Sequence, residues 1–157
     1  MKITIRLATT NDAAQLSTLL HDIGWFSGIQ NETDAETCNR LQSQLENANP
    51  ESTMLLVAET DEGQIVGYTA VHWLPYLILQ GPEGYVSELF VAEAARGMGM
   101  GKALLTAVKS QAQQRGCSRL QLLNMRNRES YQRSFYEKDG WQERENAANF
   151  VYPIEKR

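Results

Sequence analysis

The chain of 157 residues is poor in the side chains that build metal and disulfide sites. It holds two cysteines and two histidines, and Cys38 and Cys117 lie 79 positions apart in the sequence. This spacing makes neither a disulfide framework nor a metal-binding knuckle. We therefore expect no metal cofactor, and we expect a reducing, cytoplasmic location.

Long apolar runs are also missing. No apolar run approaches the ~18 residues that span a bilayer, and residues 1–6 alternate like a strand instead of forming a signal peptide. The chain has 42% hydrophobic and 22% charged residues, which is typical of a soluble globular protein. Its length suits a single domain covering residues 1–157. We expect no contact with a membrane.

Basic side chains are scarce in the first half of the chain. Residues 1–84 hold three basic and eleven acidic side chains, a net charge of −8, whereas residues 85–140 hold nine and five, a net charge of +4. The overall charge of −4 argues against nucleic acid as a partner. This uneven distribution of charge predicts a local anion site in the second half of the chain and an acidic rim in the first half. An uneven scatter of surface charge explains it equally well.

Hydrophobic periodicity and turn residues predict the element order β-α-α-β-β-β-α-β-α-β. Residues 25–33 are predicted to form a loop. Strand, glycine-rich turn, helix and strand over residues 85–125 predict one right-handed βαβ unit with a parallel strand pair. The predicted helices cover 13–23, 34–48 and 129–138, and a glycine-rich turn with the helix that follows it covers 97–115. The predicted strands cover 2–7, 53–59, 64–73, 85–91, 118–125 and 141–154.

The glycine-rich turn Arg96-Gly97-Met98-Gly99-Met100-Gly101-Lys102-Ala103 stands between a strand and a helix. Its glycines let backbone N–H groups approach a ligand, and a helix N-terminus attracts an anion such as a pyrophosphate. A P-loop is excluded, because Lys102 is followed by Ala103 and no glycine stands five positions before Gly101. A dinucleotide fingerprint would need glycine at position 102. The remaining alternative is a tight turn without a ligand.

Four segments in order resemble the GCN5-related N-acetyltransferase (GNAT) superfamily. Arg96-x-x-Gly99-x-Gly101 resembles its cofactor motif, and Phe135-Tyr136-Glu137-Lys138-Asp139-Gly140-Trp141 is similar to its F-Y-x-K-x-G-[FW] signature. Upstream, the segment 5–12 resembles the opening I-R-x-A-x-x-x-D, and 57–68 resembles the central hairpin. The likeness spans nearly the whole chain. The stretch 91–141 looks closest to members that acetylate small amines, such as aminoalkylphosphonates or aminoglycosides.

The resemblance implies an α/β (α+β) fold of the GNAT type. Its central sheet would be mixed and mostly antiparallel, with one splayed parallel pair and about four helices. Acetyl-CoA would lie between the two splayed strands, here 85–91 and 118–125. The residues that would bind this co-substrate are Leu89, Phe90, Val91, Arg96, Gly97, Met98, Gly99, Met100, Gly101, Lys102, Asn124 and Tyr136.

The resemblance also implies direct transfer of the acetyl group to a primary amine. Such an amine has a pKa near ~10.4, so neutralising its ammonium form at pH 7 costs about 4.6 kcal/mol. Glu88 is the candidate general base, directly or through water. We expect it to share a strand face with Val86 and Phe90, whose apolar character tends to raise a carboxyl pKa. Tyr136 matches the family's general acid. The alternatives are a salt-bridged Glu88 and a Tyr136 that only packs.

Aromatic residues lie in the loops expected to wall the acceptor site. Trp25, Phe26, Trp73 and Tyr76 could hold an ammonium group by cation–π contact beside Glu88, or they could close the edges of the core. The expected partner is a small-molecule amine. The alternatives are a protein N-terminus or lysine as acceptor, or a non-catalytic acyl-CoA sensor. A predicted terminal strand, 149–154, offers an edge for a homodimer.

Overall fold

The computed structural model describes residues 2–155. In this part of the chain, five strands form one sheet in the order of the sequence. The first four strands pair antiparallel and the last two pair parallel, which confirms the predicted mixed sheet. The strands are β1 (Ile3–Leu7), β2 (Thr53–Thr60), β3 (Ile65–Leu74), β4 (Glu83–Val91) and β5 (Arg119–Leu122).

Residues 2–155 contain six α-helical segments, where the sequence predicted about four. Within the predicted loop 25–33 lies a helix of four residues. The predicted helix 129–138 is divided in two, because Ser134 adopts a left-handed conformation with φ 58°. No helix in this range is both long and apolar enough to cross a membrane. The helices are α1 (Ala13–Ile23), α2 (Ser27–Gln30), α3 (Asp34–Asn47), α4 (Met100–Gln114), α5 (Glu129–Gln132) and α6 (Phe135–Lys138).

Local sequence sets the ends of α1 and α3. Gly24 ends α1 in the left-handed conformation, with φ 72°, which glycine adopts without strain. Thr33 and Glu36 form a capping box at the start of α3. The Glu36 N–H donates to the Thr33 hydroxyl at 3.2 Å, and the Thr33 N–H donates to the Glu36 carboxylate at 2.8 Å. These bonds satisfy two amide groups that the helix leaves unpaired.

The two faces of the sheet are covered by different helices. Tyr68 of β3 lies in a buried cluster with leucines of α1, and we call this side the α1 face. Gly67 immediately precedes Tyr68 in β3, and a Cβ added to Gly67 would lie 3.6 Å from Leu104 of α4. Successive residues of a strand point to opposite sides, so this is the other side, the α4 face. The side chains of Leu104, Leu105 and Val108 are fully buried.

Arg6 joins β1, β2 and the turn before α1. Its terminal nitrogens donate to both carboxylate oxygens of Asp12 at 2.8 Å, and its Nε donates to Glu59 at 2.7 Å. The hydrogen bonds from Arg6 lower the pKa of the buried Asp12 carboxyl. This network gives a structural reason for the Arg6 and Asp12 positions of the opening motif.

Contacts divide the chain into two compact units, one ending at Leu123 and one beginning at Asn124. In the second unit, the predicted strand over 141–154 is wrong, since residues 141–155 form no strand. Val151 and Tyr152 have strand propensity, but both are exposed. A strand also needs a neighbour for its backbone groups. The homodimer stays a prediction, now without the strand edge on which it was based.

The start of the parallel pair gives a test of stability. The Gly81 N–H donates to Ser118 Oγ at 2.8 Å, and a Cβ added to Gly81 would collide with the Gly116 carbonyl oxygen. We expect Gly81→Ala to lower the free energy of unfolding by more than about 2 kcal/mol, because backbone atoms cannot move aside. Urea-induced unfolding measures this loss.

Gly28→Ala is the matched control. A Cβ added to this helical glycine has no neighbour within 4 Å. Alanine favours the helix by up to about 1 kcal/mol, so we expect this variant to be neutral or slightly more stable. Equal stability of the two variants would contradict the close packing at Gly81.

Candidate active site

Strand β4 loses its parallel neighbour halfway along its length. The pairing with β5 runs from Glu83↔Arg119 to Val86↔Leu122, and β4 then continues for five residues to Val91. Over those residues β4 still pairs with β3 on its other side. Its backbone groups that point toward the β5 side therefore have no ladder partner in this sheet, which is the arrangement an extended ligand needs for backbone pairing.

An extra residue in β4 marks the point of separation. Against β3, Glu88 pairs with Ala70 and Val86 pairs with Val71, so Ser87 has no partner. Such a β-bulge interrupts the alternation of faces. Glu88 therefore lies on the α1 face, whereas Val86 lies on the α4 face. The expectation that Glu88 shares a face with Val86 is wrong for this reason, although Phe90 does share its face.

Glu88 is held by a tyrosine. The Tyr68 hydroxyl donates a hydrogen bond to Glu88 Oε1 at 3.1 Å. Burial, and then the charge of Glu88, raise the pKa of Tyr68 far above its usual value, so this hydroxyl keeps its proton and acts as a donor. Glu88 itself is exposed to solvent, whereas the sequence predicted a carboxylate enclosed by apolar neighbours. A carboxylate fixed on one side and open to solvent on the other can accept a proton.

Four aromatic rings stand beside Glu88 on the α1 face. The Phe90 ring lies 5.9 Å from Trp25, 5.3 Å from Phe26 and 5.8 Å from Tyr68, measured between ring centroids. Trp25 is 43% exposed. Two of the predicted acceptor aromatics, Trp25 and Phe26, thus contact Phe90 on the face that carries the candidate base. The sequence analysis missed Tyr68, although its place opposite Phe90 in a paired strand would have indicated it.

The other two predicted acceptor aromatics lie elsewhere. Trp73 is buried on the α4 face, where the Arg115 guanidinium stacks on its ring at 4.7 Å. Tyr76 lies in the loop before β4, with the Arg119 guanidinium 6.0 Å from its ring, and the Glu83 carboxylate raises the pKa of its hydroxyl. The structure does not bring Trp73 and Tyr76 together with Trp25 and Phe26.

Two carboxylates of the predicted acidic rim are already paired. Glu32 accepts hydrogen bonds from Arg40 at 2.6 and 2.9 Å, and these lower the pKa of the Glu32 carboxyl. Glu83 is fully buried and accepts from Arg119 Nε at 2.6 Å. The charge of each carboxylate is therefore already balanced by a guanidinium partner.

A histidine accompanies the bulge. His72 Nε2 and the unpaired Ser87 Oγ share a hydrogen bond of 2.8 Å. His72 alternates with Ala70 along β3, so it lies on the same face as Glu88. The bulge therefore places a hydroxyl and an imidazole next to the candidate base.

The glycine-rich turn has the geometry of an anion site. Gly97 and Gly99 adopt left-handed conformations with φ 78° and 83°, and α4 begins at the next residue. The Ala103 N–H makes the first helical bond, to the Gly99 carbonyl at 2.9 Å. The amides of residues 100–102 precede that bond, so the helix itself gives them no acceptor. The turn therefore presents amides without a helical acceptor at a helix N-terminus, which is an arrangement that favours an anion.

The second unit carries the remaining predicted residues. The Asn124 side-chain amide donates to Ser130 Oγ at 2.9 Å. Tyr136 packs edge-on against Phe135 and Trp141, with ring centroids 5.0 and 6.1 Å away. Burial raises the pKa of Tyr136 to about 12, so its hydroxyl is protonated at neutral pH.

The cysteines give little sign of nucleophilic chemistry. Cys117 and Cys38 are both free thiols and half-buried. Burial raises the pKa of the Cys117 thiol, which disfavours the reactive thiolate.

Comparisons with known proteins agree with this geometry. Residues 20–141 match the acetyltransferase (GNAT) family. YhfO of Bacillus subtilis, described as an uncharacterized N-acetyltransferase, is 31% identical over 141 residues, which cover 88% of this chain and 89% of YhfO. The crystal structure of a transcriptional regulator from Bacillus halodurans has a TM-score of 0.79 at 28% identity, over 96% of this chain and 100% of that one.

An aminoglycoside acetyltransferase from an uncultured soil metagenomic sample, in complex with trehalose, shares the fold. Its TM-score is 0.76 at 22% identity, over 98% of this chain and 97% of that one. The family match covers most of the sequence, and the sheet carries the expected mixed topology with one parallel pair. The chain therefore belongs to the GNAT family of acetyltransferases.

Proposed function

We propose that this protein transfers an acetyl group from acetyl-CoA directly to the primary amine of a small molecule. The observation that carries the proposal is the position of Glu88. It stands at the bulge where β4 leaves β5, and it is bound by Tyr68 and flanked by Phe90. A carboxylate at this point can serve an amine on the α1 face, beside the open edge of β4.

Acetyl-CoA would supply an acyl group activated as a thioester. The open backbone of residues 89–91 would pair with its extended arm. The turn residues Arg96, Gly97, Met98, Gly99, Met100, Gly101 and Lys102 would hold its pyrophosphate through backbone N–H groups and positive charge. Asn124 and Tyr136 complete the proposed set from the second unit.

Glu88 would remove the proton of the acceptor amine, directly or through water. At pH 7 a primary ammonium must give up this proton at a cost of about 4.6 kcal/mol. A positioned carboxylate that takes the proton during the reaction lowers this barrier. Tyr68 would keep the carboxylate aimed while leaving its second oxygen for the proton.

Tyr136 would stabilise the departing thiolate of coenzyme A. Burial raises its pKa to about 12, so the hydroxyl carries its proton at neutral pH. It can therefore donate a hydrogen bond to the departing thiolate and serve as the general acid.

Gly99→Ala tests the proposed cofactor turn. A left-handed alanine costs about 1 kcal/mol of stability, and its Cβ would extend into the open space beside the turn, which the proposed phosphate would need. We expect the Kd for acetyl-CoA to rise about 10-fold, measured by isothermal titration calorimetry. Gly63→Ala is the matched control, because Gly63 in the β2–β3 hairpin has the same φ of 83° and equally open surroundings.

The two glycine variants should lose similar stability in thermal melts. Only Gly99→Ala should lose affinity. The same Kd in both variants and in the wild type would remove the turn from the cofactor site.

Glu88→Gln tests the base. We expect kcat for thiol release from acetyl-CoA to fall about 100-fold at pH 7 with a panel of small primary amines. The loss should shrink as the pH rises toward 10, because more of the amine is then already neutral. The exposed hairpin variant Glu62→Gln is the control and should keep the wild-type rate.

A loss of rate in Glu88→Gln that stays constant over this pH range would assign Glu88 a structural role and contradict its role as base. An unchanged rate at pH 7 would contradict it as well.

A further inference from the structure

Arg40 is an unusual residue for its part of the chain. Residues 1–84 contain two arginines, Arg6 and Arg40, among eleven acidic side chains. Arg6 pairs with Asp12 and Glu59 at the edge of the sheet. Arg40 instead lies on α3, and the fold brings it to the side of the sheet that carries Glu88.

Packing places the helix of Arg40 on the face that carries the candidate base. Its neighbour Leu41 packs against the buried cluster that includes Tyr68, and the Tyr68 hydroxyl binds Glu88. The ion pair that Arg40 makes among residues 2–155 is with Glu32 and not with Glu88. Arg40 and Glu88 therefore present opposite charges on the same side of the sheet.

The guanidinium of Arg40 is held with part of its donor set left over. Its Nε and Nη2 donate to the two oxygens of Glu32 at 2.9 and 2.6 Å, and Nη1 makes a long bond of 3.5 Å to Gln44. Glu32 also accepts from the buried Thr37 hydroxyl at 3.3 Å. A guanidinium has five N–H donors, so one on each terminal nitrogen remains beyond these bonds. A pair of this kind matches a carboxylate or phosphate.

The charges around Glu88 disfavour an acceptor that is only cationic. Glu32 is already paired with Arg40, and Glu83 is buried with Arg119. A polyamine bound at Glu88 would bring a second positive charge to the face that carries Arg40. An amine with an attached anion would satisfy both groups.

We propose that the acceptor is a small amine that also carries an oxyanion, a carboxylate or a phosphate, which binds Arg40 while the amine lies at Glu88. This inference rests on the proposed acetyltransferase function and names its substrate class. Glu32 is then a positioning residue that orients Arg40.

Matched pairs of amines test the substrate class in the thiol-release assay. β-Alanine is compared with propylamine, 4-aminobutyrate with butylamine, and O-phosphoethanolamine with ethanolamine. We expect at least one anionic member to exceed its neutral partner in kcat/KM by more than about 10-fold. The first two comparisons test a carboxylate and the third tests a phosphate, so the results show which oxyanion the enzyme prefers.

Arg40→Gln tests the residue. We expect kcat/KM for the preferred anionic amine to fall about 10- to 100-fold, chiefly through KM, while the value for its neutral partner changes less than about 3-fold. The ratio within one variant is independent of how much enzyme is folded. Arg40→Lys should recover part of the preference, because it keeps the charge and loses the fork of donors. The exposed Arg144→Gln is the control and should keep the wild-type ratio.

The outcomes separate this inference from the proposed function. Acetylation of neutral and anionic amines with equal kcat/KM, or an unchanged ratio in Arg40→Gln, would overturn the role of Arg40 and leave the acetyltransferase intact. No thiol release with any amine of either kind would overturn both.

Discussion

Ser87 has no partner on β3, and the site depends on the consequences of this one extra residue. The bulge turns Glu88 and Phe90 to the α1 face, where Tyr68 and the aromatic rings meet them. At the same position β4 loses its pairing with β5. The bulge thus aims the carboxylate at the position where the strand edge opens.

The open edge of β4 requires that the other end of its parallel pair with β5 stays hydrogen-bonded. Glu83 and Arg119 face each other in the first register pair, and their ion pair joins the two strands at 2.6 Å. A fully buried carboxylate is costly without a partner, so this pair disfavours any slip of β5 along β4. Gly84 adds to the constraint, since a Cβ there would come within 2.5 Å of Leu120. The strands therefore separate at a defined place.

Much of the framework follows from local sequence. The sequence predicted α3 over 34–48 against the observed Asp34–Asn47, because propensity and periodicity act within a few residues. The glycine spacing predicts the turn. The structure shows the reason for the spacing, because Gly97 and Gly99 hold left-handed conformations that other residues rarely adopt. The bulge was not predicted, because Ser87 carries no local signal for a register shift. The prediction that Glu88 shares a strand face with Val86 is wrong for the same reason.

Contacts between residues far apart in the sequence explain the other differences between the predictions and the structure. The pattern over 141–154 suits a strand, but residues 141–155 form none, because strand formation depends on pairing that a local pattern does not contain. Trp73 looked like an acceptor aromatic from its place before a loop, although strand alternation puts it on the α4 face under Arg115. The pairing of Arg40 with Glu32 joins a helix to the loop before it, and nothing in the spacing shows that Glu88 lies nearby.

The central claim is that the open edge of β4 and the turn before α4 hold acetyl-CoA. Titration of the ¹⁵N-labelled protein with acetyl-CoA, followed by amide chemical shifts, tests it most directly. The account predicts the largest shifts at Leu89, Phe90 and Val91 and at residues 97–102, with the hairpin around Gly63 unchanged. Saturable binding that leaves both of these segments unshifted, or an absence of binding, would contradict the account.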